Sequence, residues 1–321
     1  MRNASILLII LVLCAFKNTL PPGQDFNSLW TAGWSADGKY IAVGGDNGKL
    51  AILLAKDLSI HQVLPFDSMT IAAVAWHPAQ NLLAFSAYPH NRGLHSSTLQ
   101  ILNVETGKST NLGKYAGRGL SWSPDGNKLA LGGDGVIYIF SKDGKKLKEF
   151  KHPSGRSLFS LSWHPTKNII AAADDDVRLF DTETGKELRA VKISNIPKAI
   201  LCVRWHPSGE FFATGDYGHE GETEPSYLKF FSEQGEPIRT MTGSKGAYRG
   251  IQWNKDGSKI ATVSDSLRIW SKEGELLLTV NEGKSEIWGV DWNRNQIVTG
   301  GKTNSVLIWN DEGELLKSIL K

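Results

Sequence analysis

GLSWSPDGNKLALGGDGVIYIFSKDGKKLKEF, residues 119–150, reads as four short strands joined by three tight turns. GLSW (119–122) runs into the turn SPDGN, KLALGG (128–133) into Asp134-Gly135, and VIYIF (136–140) through KDGK into LKEF (147–150). Asp-Gly and related pairs supply the positive φ that tight hairpins require. The strands are rich in aromatic and branched residues, and no stretch shows a helical period.

The unit recurs. GWSADGKYIAVGG, AWHPAQNLLAFSA, SWHPTKNIIAAAD, RWHPSGEFFATGD, QWNKDGSKIATVS and DWNRNQIVTGG align with it on Trp34, Trp76, Trp122, Trp163, Trp205, Trp253 and Trp292. These anchors lie 42, 46, 41, 42, 48 and 39 residues apart, the period of a four-stranded propeller blade. The spacing predicts an all-β fold: a seven-bladed β-propeller over residues 29–321 with four antiparallel strands per blade. The last repeat is complete in itself: IWGVDW (287–292), QIVTGG (296–301), VLIWN (306–310) and LLKSIL (315–320). The first runs through its own fourth strand near IHQVLPF (60–66). The ring is therefore expected to close by packing of blade 7 on blade 1, without exchange of a strand.

Composition agrees. Eleven Trp against three Met fit a fold that reuses one flat side chain. The net charge of +3 is spread along the chain without a basic stripe, which argues against nucleic-acid binding. Cys14 falls in the N-terminal apolar run and Cys202 in a core strand, so no disulfide framework is expected. Arg2 precedes ASILLIILVLCAF (4–16), too short to span a bilayer and of the form of an export signal. Residues 1–17 read as that signal. Residues 18–28, with Pro21, Pro22 and Gly23, read as an irregular tether.

WSPDG (122–126), VRLFD (177–181), LRIW (267–270) and VLIWN (306–310) resemble the WD repeat across nearly the whole chain. The Gly-His pair of that family is absent here, and strand c ends in Trp only at Trp270 and Trp309. The WSPDG turn is also similar to that of the periplasmic Tol-system propeller, and lipoprotein scaffolds of outer-membrane assembly, with eight blades, are a further analogue. The resemblance implies a binding scaffold that is not an enzyme and carries no cofactor, a monomer that receives protein partners around the top mouth of its channel. Leu11-Val12-Leu13-Cys14 resembles the lipobox of bacterial lipoproteins, although that family favours a small residue where Leu13 stands. It implies lipid on Cys14 and a periplasmic or cell-surface protein anchored to a membrane; ordinary cleavage of the signal and an uncleaved anchor are the alternatives.

Four residues before each anchor, at the entry of the innermost strand, stand Trp30, Ala72, Arg118, Phe159, Leu201, Arg249 and Trp288. In WD-repeat propellers this position opens onto the top face. Two arginines here argue against a fully buried slot, and Trp and Arg are typical interface anchors. Trp30, Arg249 and Trp288, on neighbouring blades, are expected to form one sector of a partner-binding rim. Tyr248 would extend it, and Arg118 and Phe159 would form a smaller counterpart across the channel. The competing reading is that these side chains only close the rim between blades. The next residue is small in every copy, from Thr31 to Gly289, because the inner strands crowd the axis; Cys202 is such a filler.

Two strand b to c loops are long, 87–98 and 215–227, each expected to fold over its own blade entrance. His90, His95, His219, Glu220, Glu222 and Glu224 lie in them at spacings that match no zinc signature. His77, His164 and His206 follow an anchor and precede Pro, which marks them as turn residues. Neither a serine nucleophile motif nor a phosphate loop occurs. ETGKST (105–110) and ETGKEL (183–188) faintly resemble turns of quinone-dependent dehydrogenase propellers but are ordinary hairpin chemistry. The alternatives to a protein-binding scaffold are a propeller that binds a small molecule or glycan at the channel mouth and, third, an oxidoreductase or hydrolase.

Overall fold

A computed structural model describes residues 28–90, 97–194, 199–218, 225–280, 286–302 and 305–319. The signal segment 1–17, Cys14, tether residues 18–27, and loop residues His95, His219, Glu220, Glu222 and Glu224 lie outside the described residues.

Seven four-stranded antiparallel sheets form, each from consecutive strands a to d in chain order. The inner strands a are Leu29–Trp34, Met69–Trp76, Gly119–Trp122, Ser160–Trp163, Ile200–Trp205, Gly250–Trp253 and Ile287–Asn293. Each lies beside the next around the ring, and the seventh returns to the first. The founding stretch folds as read: strand b of blade 3 is Lys128–Gly133, strand c Val136–Ser141 and strand d Lys146–Lys151.

The core is divided into seven apolar clusters, one at each junction between successive blades. Each contains the anchor Trp of the later blade packed on its predecessor. The indole N–H reaches the same way: Trp76, Trp122 and Trp163 Nε1 donate to the Gly33, Ala75 and Ser121 carbonyls at 2.9–3.0 Å. Each acceptor is the residue just before the preceding anchor. Trp34, Trp205 and Trp292 lack this bond. At two of these blades the anchor's backbone N–H takes over, Trp34 N to Asp291 Oδ2 at 2.7 Å and Trp205 N to Ser162 Oγ at 3.0 Å. Trp270 and Trp309 on strand c are buried, and each donates to a strand b threonine, Thr262 or Thr299.

On the face of the a–b turns the three histidines act as latches. Nδ1 of His164 accepts the Thr166 and Lys167 N–H groups, so the neutral ring carries its proton on Nε2 and donates it to Gly209 O of blade 5. His206 does the same toward Gly257 of blade 6, and His77 toward Gly126 of blade 3. Gly126 has φ +72° and a Cβ there would lie 2.3 Å from the His77 ring, so glycine is required twice over.

Among the described residues, closure follows the expectation from the repeats. All four strands of blade 7 come from residues 287–319 and all four of blade 1 from 29–65. Side chains close the seam: Asp291 on the Trp34 N–H, Asn293 Nδ2 to Ser35 O at 2.9 Å, and Lys317 Nζ to Ala55 O at 2.8 Å. A shared apolar cluster joins Leu29, Trp34 and Val43 to Val298, Val306 and Ile308. The small inner slot is explained by crowding. A Cβ on Gly289 would stand 2.5 Å from Ala32 N.

Two stability predictions follow from this geometry. Gly289→Ala should lower unfolding stability by about 1–3 kcal/mol. Gly246→Ala, where a Cβ would meet nothing within 4 Å, should change it little; equal effects in denaturant titrations would refute the crowding argument. Burial depresses the pKa of His77, His164 and His206, so the unfolded chain takes up protons first. The stability these rings contribute is complete above about pH 6.5 and is lost as pH falls through their folded values. Replacing all three by Ser, the residue that blade 3 carries at Ser123, should flatten the fall in thermal midpoint between about pH 7 and 5; an unchanged slope would exclude the latches as its cause.

Candidate functional site

The mouth of the channel is shaped by a backbone irregularity. In blades 1, 2, 5 and 7 the pairing of strands a and b slips at the entry position, so Trp30, Ala72, Leu201 and Trp288 are bulged residues. In blades 3, 4 and 6 strand a begins one residue after Arg118, Phe159 and Arg249. In every copy the entry side chain is thereby released from the pleat, and a bulge is a standard way to re-aim one.

These side chains meet. The Trp30 and Trp288 rings lie edge to face, with centroids 5.5 Å apart. The Arg249 guanidinium stands 4.9 Å from the Trp288 ring and 5.1 Å from Tyr217. Arg118 stands 4.5 Å from the Trp30 ring and 5.9 Å from Phe159, and its Nη2 donates to Tyr88 Oη at 3.2 Å. Tyr88 also faces the edge of Trp30. One arc results, Tyr217–Arg249–Trp288–Trp30–Arg118–Phe159, with Tyr88 behind it; every blade supplies one member.

Two expectations change. Arg118 and Phe159 are not a separate counterpart across the channel, because the reach of an arginine side chain carries Arg118 onto Trp30. Tyr248 does not extend the rim: it is wholly buried among Cys202, Met241, Ile251 and Trp270. Its backbone N–H is tied to Asp216 O, which turns the ring inward over Gly215. Burial pushes its phenol pKa well above the ordinary value.

Tyr88 and Tyr217 were missed at the sequence level, although a signal existed. Both stand twelve residues after their anchor, where blades 1, 3, 4 and 6 carry Asp46, Asp134, Asp175 and Asp265. They open the two long loops. The described ends of those loops lean on neighbouring blades: Tyr88 of blade 2 on Trp30 and Arg118, and Tyr217 of blade 5 on Arg249.

Charge on the arc is mostly positive. Glu286 accepts the Trp288 Nε1 hydrogen at 3.0 Å and pairs with Lys302 at 3.0 Å and Arg249 at 3.8 Å. Burial alone would raise its pKa, but the Trp288 hydrogen bond and the two cations hold it below the usual range. Arg118 is exposed and has no ion pair among the described residues. The arc thus offers flat apolar faces and guanidinium groups together, the combination that concentrates binding energy at interfaces.

Below the rim the channel is a cavity of about 500 Å³. Blades 5, 6 and 7 turn Arg204, Gln252 and Asp291 toward it, whereas blades 1, 2 and 3 turn Gly33, Ala75 and Ser121. Burial pushes the Asp291 carboxyl up to about 6, against the hydrogen bonds from Trp34 and Trp292 and the field of Arg204. Cys202 is buried: burial pushes its thiol up to about 12, and Sγ faces the Gly215 and Tyr248 carbonyls. Among the described residues no group of three His, Cys, Asp or Glu side chains is placed to hold a metal ion.

Residues 120–208, from strand a of blade 3 past strand a of blade 5, match the family model described as the anaphase-promoting complex subunit 4 WD40 domain. A search of curated proteins finds no match to the chain. The WD40 match and seven blades of four antiparallel strands together support a WD-repeat β-propeller family.

Proposed function

We propose that this propeller is a protein-binding scaffold whose partner docks on the rim arc of Trp30, Arg118, Phe159, Arg249 and Trp288. The observation that carries the reading is the continuity of the arc. Two bulged tryptophans and two arginines, which the backbone could have left apart, form one surface with Tyr88 and Tyr217 at the channel mouth. Rim packing alone would not call for an arginine lying exposed on an indole without a carboxylate partner. The propeller acts as a monomer and performs no chemistry of its own.

We further propose that the chain is exported and tethered. The support is in the sequence: Arg2, the apolar run 4–16, and Leu11-Val12-Leu13 before Cys14. Lipid on Cys14 would hold the propeller at a periplasmic or cell-surface membrane face, with residues 18–28 as the spacer. A glycan- or small-molecule-binding propeller is the second reading, favoured by the polar wall of the channel.

Trp30→Ala, Arg249→Ala or Trp288→Ala should each weaken partner binding by about 1–3 kcal/mol, while the thermal midpoint falls far less than in Trp122→Ala or Trp163→Ala. Paired affinity and melting measurements check this; midpoints as low as those of the anchor variants would make the arc rim packing. For the tether, labelled fatty acid should enter the wild-type chain and not Cys14→Ser, and equal labelling or none in either would end the lipoprotein reading.

A further inference from the structure

Within the channel, charge and space are distributed unevenly. The residue just before each anchor is Gly33, Ala75, Ser121, Ser162, Arg204, Gln252 and Asp291 in blade order. The long polar side chains therefore fall on three successive blades. The others are small, and the Ser162 hydroxyl is turned away to the Trp205 N–H. One wall carries functional groups and the other leaves room.

The polar wall has spare donors. Arg204 spends Nη1 on Ser160 Oγ at 3.2 Å and on the Val203 and Leu161 carbonyls at 2.9 and 3.4 Å, and Nε on Gln252 Oε1 at 3.4 Å. These bonds orient the guanidinium and tie blades 4, 5 and 6. They leave Arg204 Nη2 and the Gln252 amide nitrogen without a protein partner among the described residues, on adjacent blades and against the same cavity. No carboxylate forms an ion pair with Arg204 there. Asp291, the acid whose field reaches it, is held back by backbone N–H groups on both oxygens, Trp34 N at 2.7 Å and Trp292 N at 2.9 Å. It retains lone pairs for one further donor. A guanidinium in so confined a space is costly without a counter-ion. A purely structural arginine would need neither the cavity nor the two free donors. Arg118 and Arg249 line the way in, and Arg118, which has no ion pair among the described residues, favours an anion there.

We propose that the channel holds a small carboxylic acid, its carboxylate on Arg204 Nη2 and the Gln252 amide, and a hydroxyl or ammonium group of the same molecule turned to Asp291. This site lies below the proposed rim, whose residues Trp30, Arg118, Phe159, Arg249 and Trp288 line the upper part of the same cavity, and its ligand is a free small molecule.

The test is calorimetric titration of residues 1–321 with L-malate and L-glutamate, with the diamide of malate as the neutral control. At least one acid should bind with a Kd of about 1 mM or tighter and raise the thermal midpoint, and the diamide should do neither. Arg204→Gln should weaken binding at least about tenfold through loss of a charged hydrogen bond. Ala75→Leu, which fills the open wall without touching Arg204, should abolish it. If Arg204→Gln fails to fold, Ala75→Leu decides. No binding of either acid to the wild type, equal binding of the diamide, or undiminished binding to Ala75→Leu or a folded Arg204→Gln would each overturn the proposal. Partner binding at the rim should survive both substitutions, so a failure here leaves that reading standing.

Discussion

An indole at the end of each inner strand must hide a large flat face and satisfy one N–H. In this propeller the preceding blade covers the flat face in every copy and accepts the N–H in four, those of Trp76, Trp122, Trp163 and Trp253. Trp122 belongs to blade 3 but packs in the blade 2–3 cluster and donates to Ala75 O. No blade completes its own core, so each requires a neighbour, and the requirement can end only by returning to blade 1. The histidine latches repeat this dependence on the turn face. Stability in such a ring is a set of nearest-neighbour terms, and closure turns those terms into a cycle. Bringing seven strands to one axis also imposes the small slot, which at Gly289 leaves no space even for a methyl group.

That same constraint explains what could be read from the sequence. A device repeated in every blade appears as a period, so the seven anchors, the Asp-Gly turns and the self-contained seventh blade were legible. Strand limits in blade 3 agree with the reading to within one residue. Equivalent positions were legible too, and the entry residues do reach the channel mouth. Contacts between unlike positions were not. Arg118 on Trp30 joins blade 3 to blade 1 through side-chain length, which no spacing encodes. Tyr248 and Arg249 are consecutive, yet one is core and the other rim, because the segment before strand a is irregular and the alternation rule has no purchase there. Tyr88 and Tyr217 were visible as breaks in a column of aspartates but carry meaning only once the b–c turns are seen to lean on their neighbours.

The ring is symmetric in its backbone and asymmetric in its chemistry. Inner-strand positions that pack between blades are restricted by size, and they vary little in volume. Positions that face the channel or its mouth escape that restriction and hold all the charge: Arg204 and Asp291 within, Arg118 and Arg249 above. Charge at these places contributes little to packing, and at Arg204 burial works against it. Retaining it there is understandable where something else enters the channel or covers its mouth.

The placement of Trp30 and Trp288 bears on closure itself. They sit on opposite sides of the blade 7–1 seam, the junction joined among the described residues by side chains rather than by a shared strand. Asp291, Asn293 and Lys317 hold that seam with single hydrogen bonds to backbone groups of blade 1. A partner resting on both tryptophans contacts the two ends of the ring at once and finds its complete surface only when the ring is shut. Binding to the closed form alone stabilises that form by mass action. On this geometry the proposed docking surface and the closing seam would be thermodynamically one element: whatever loosens the seam would also lower apparent affinity, and occupancy of the rim would resist opening between blades 7 and 1.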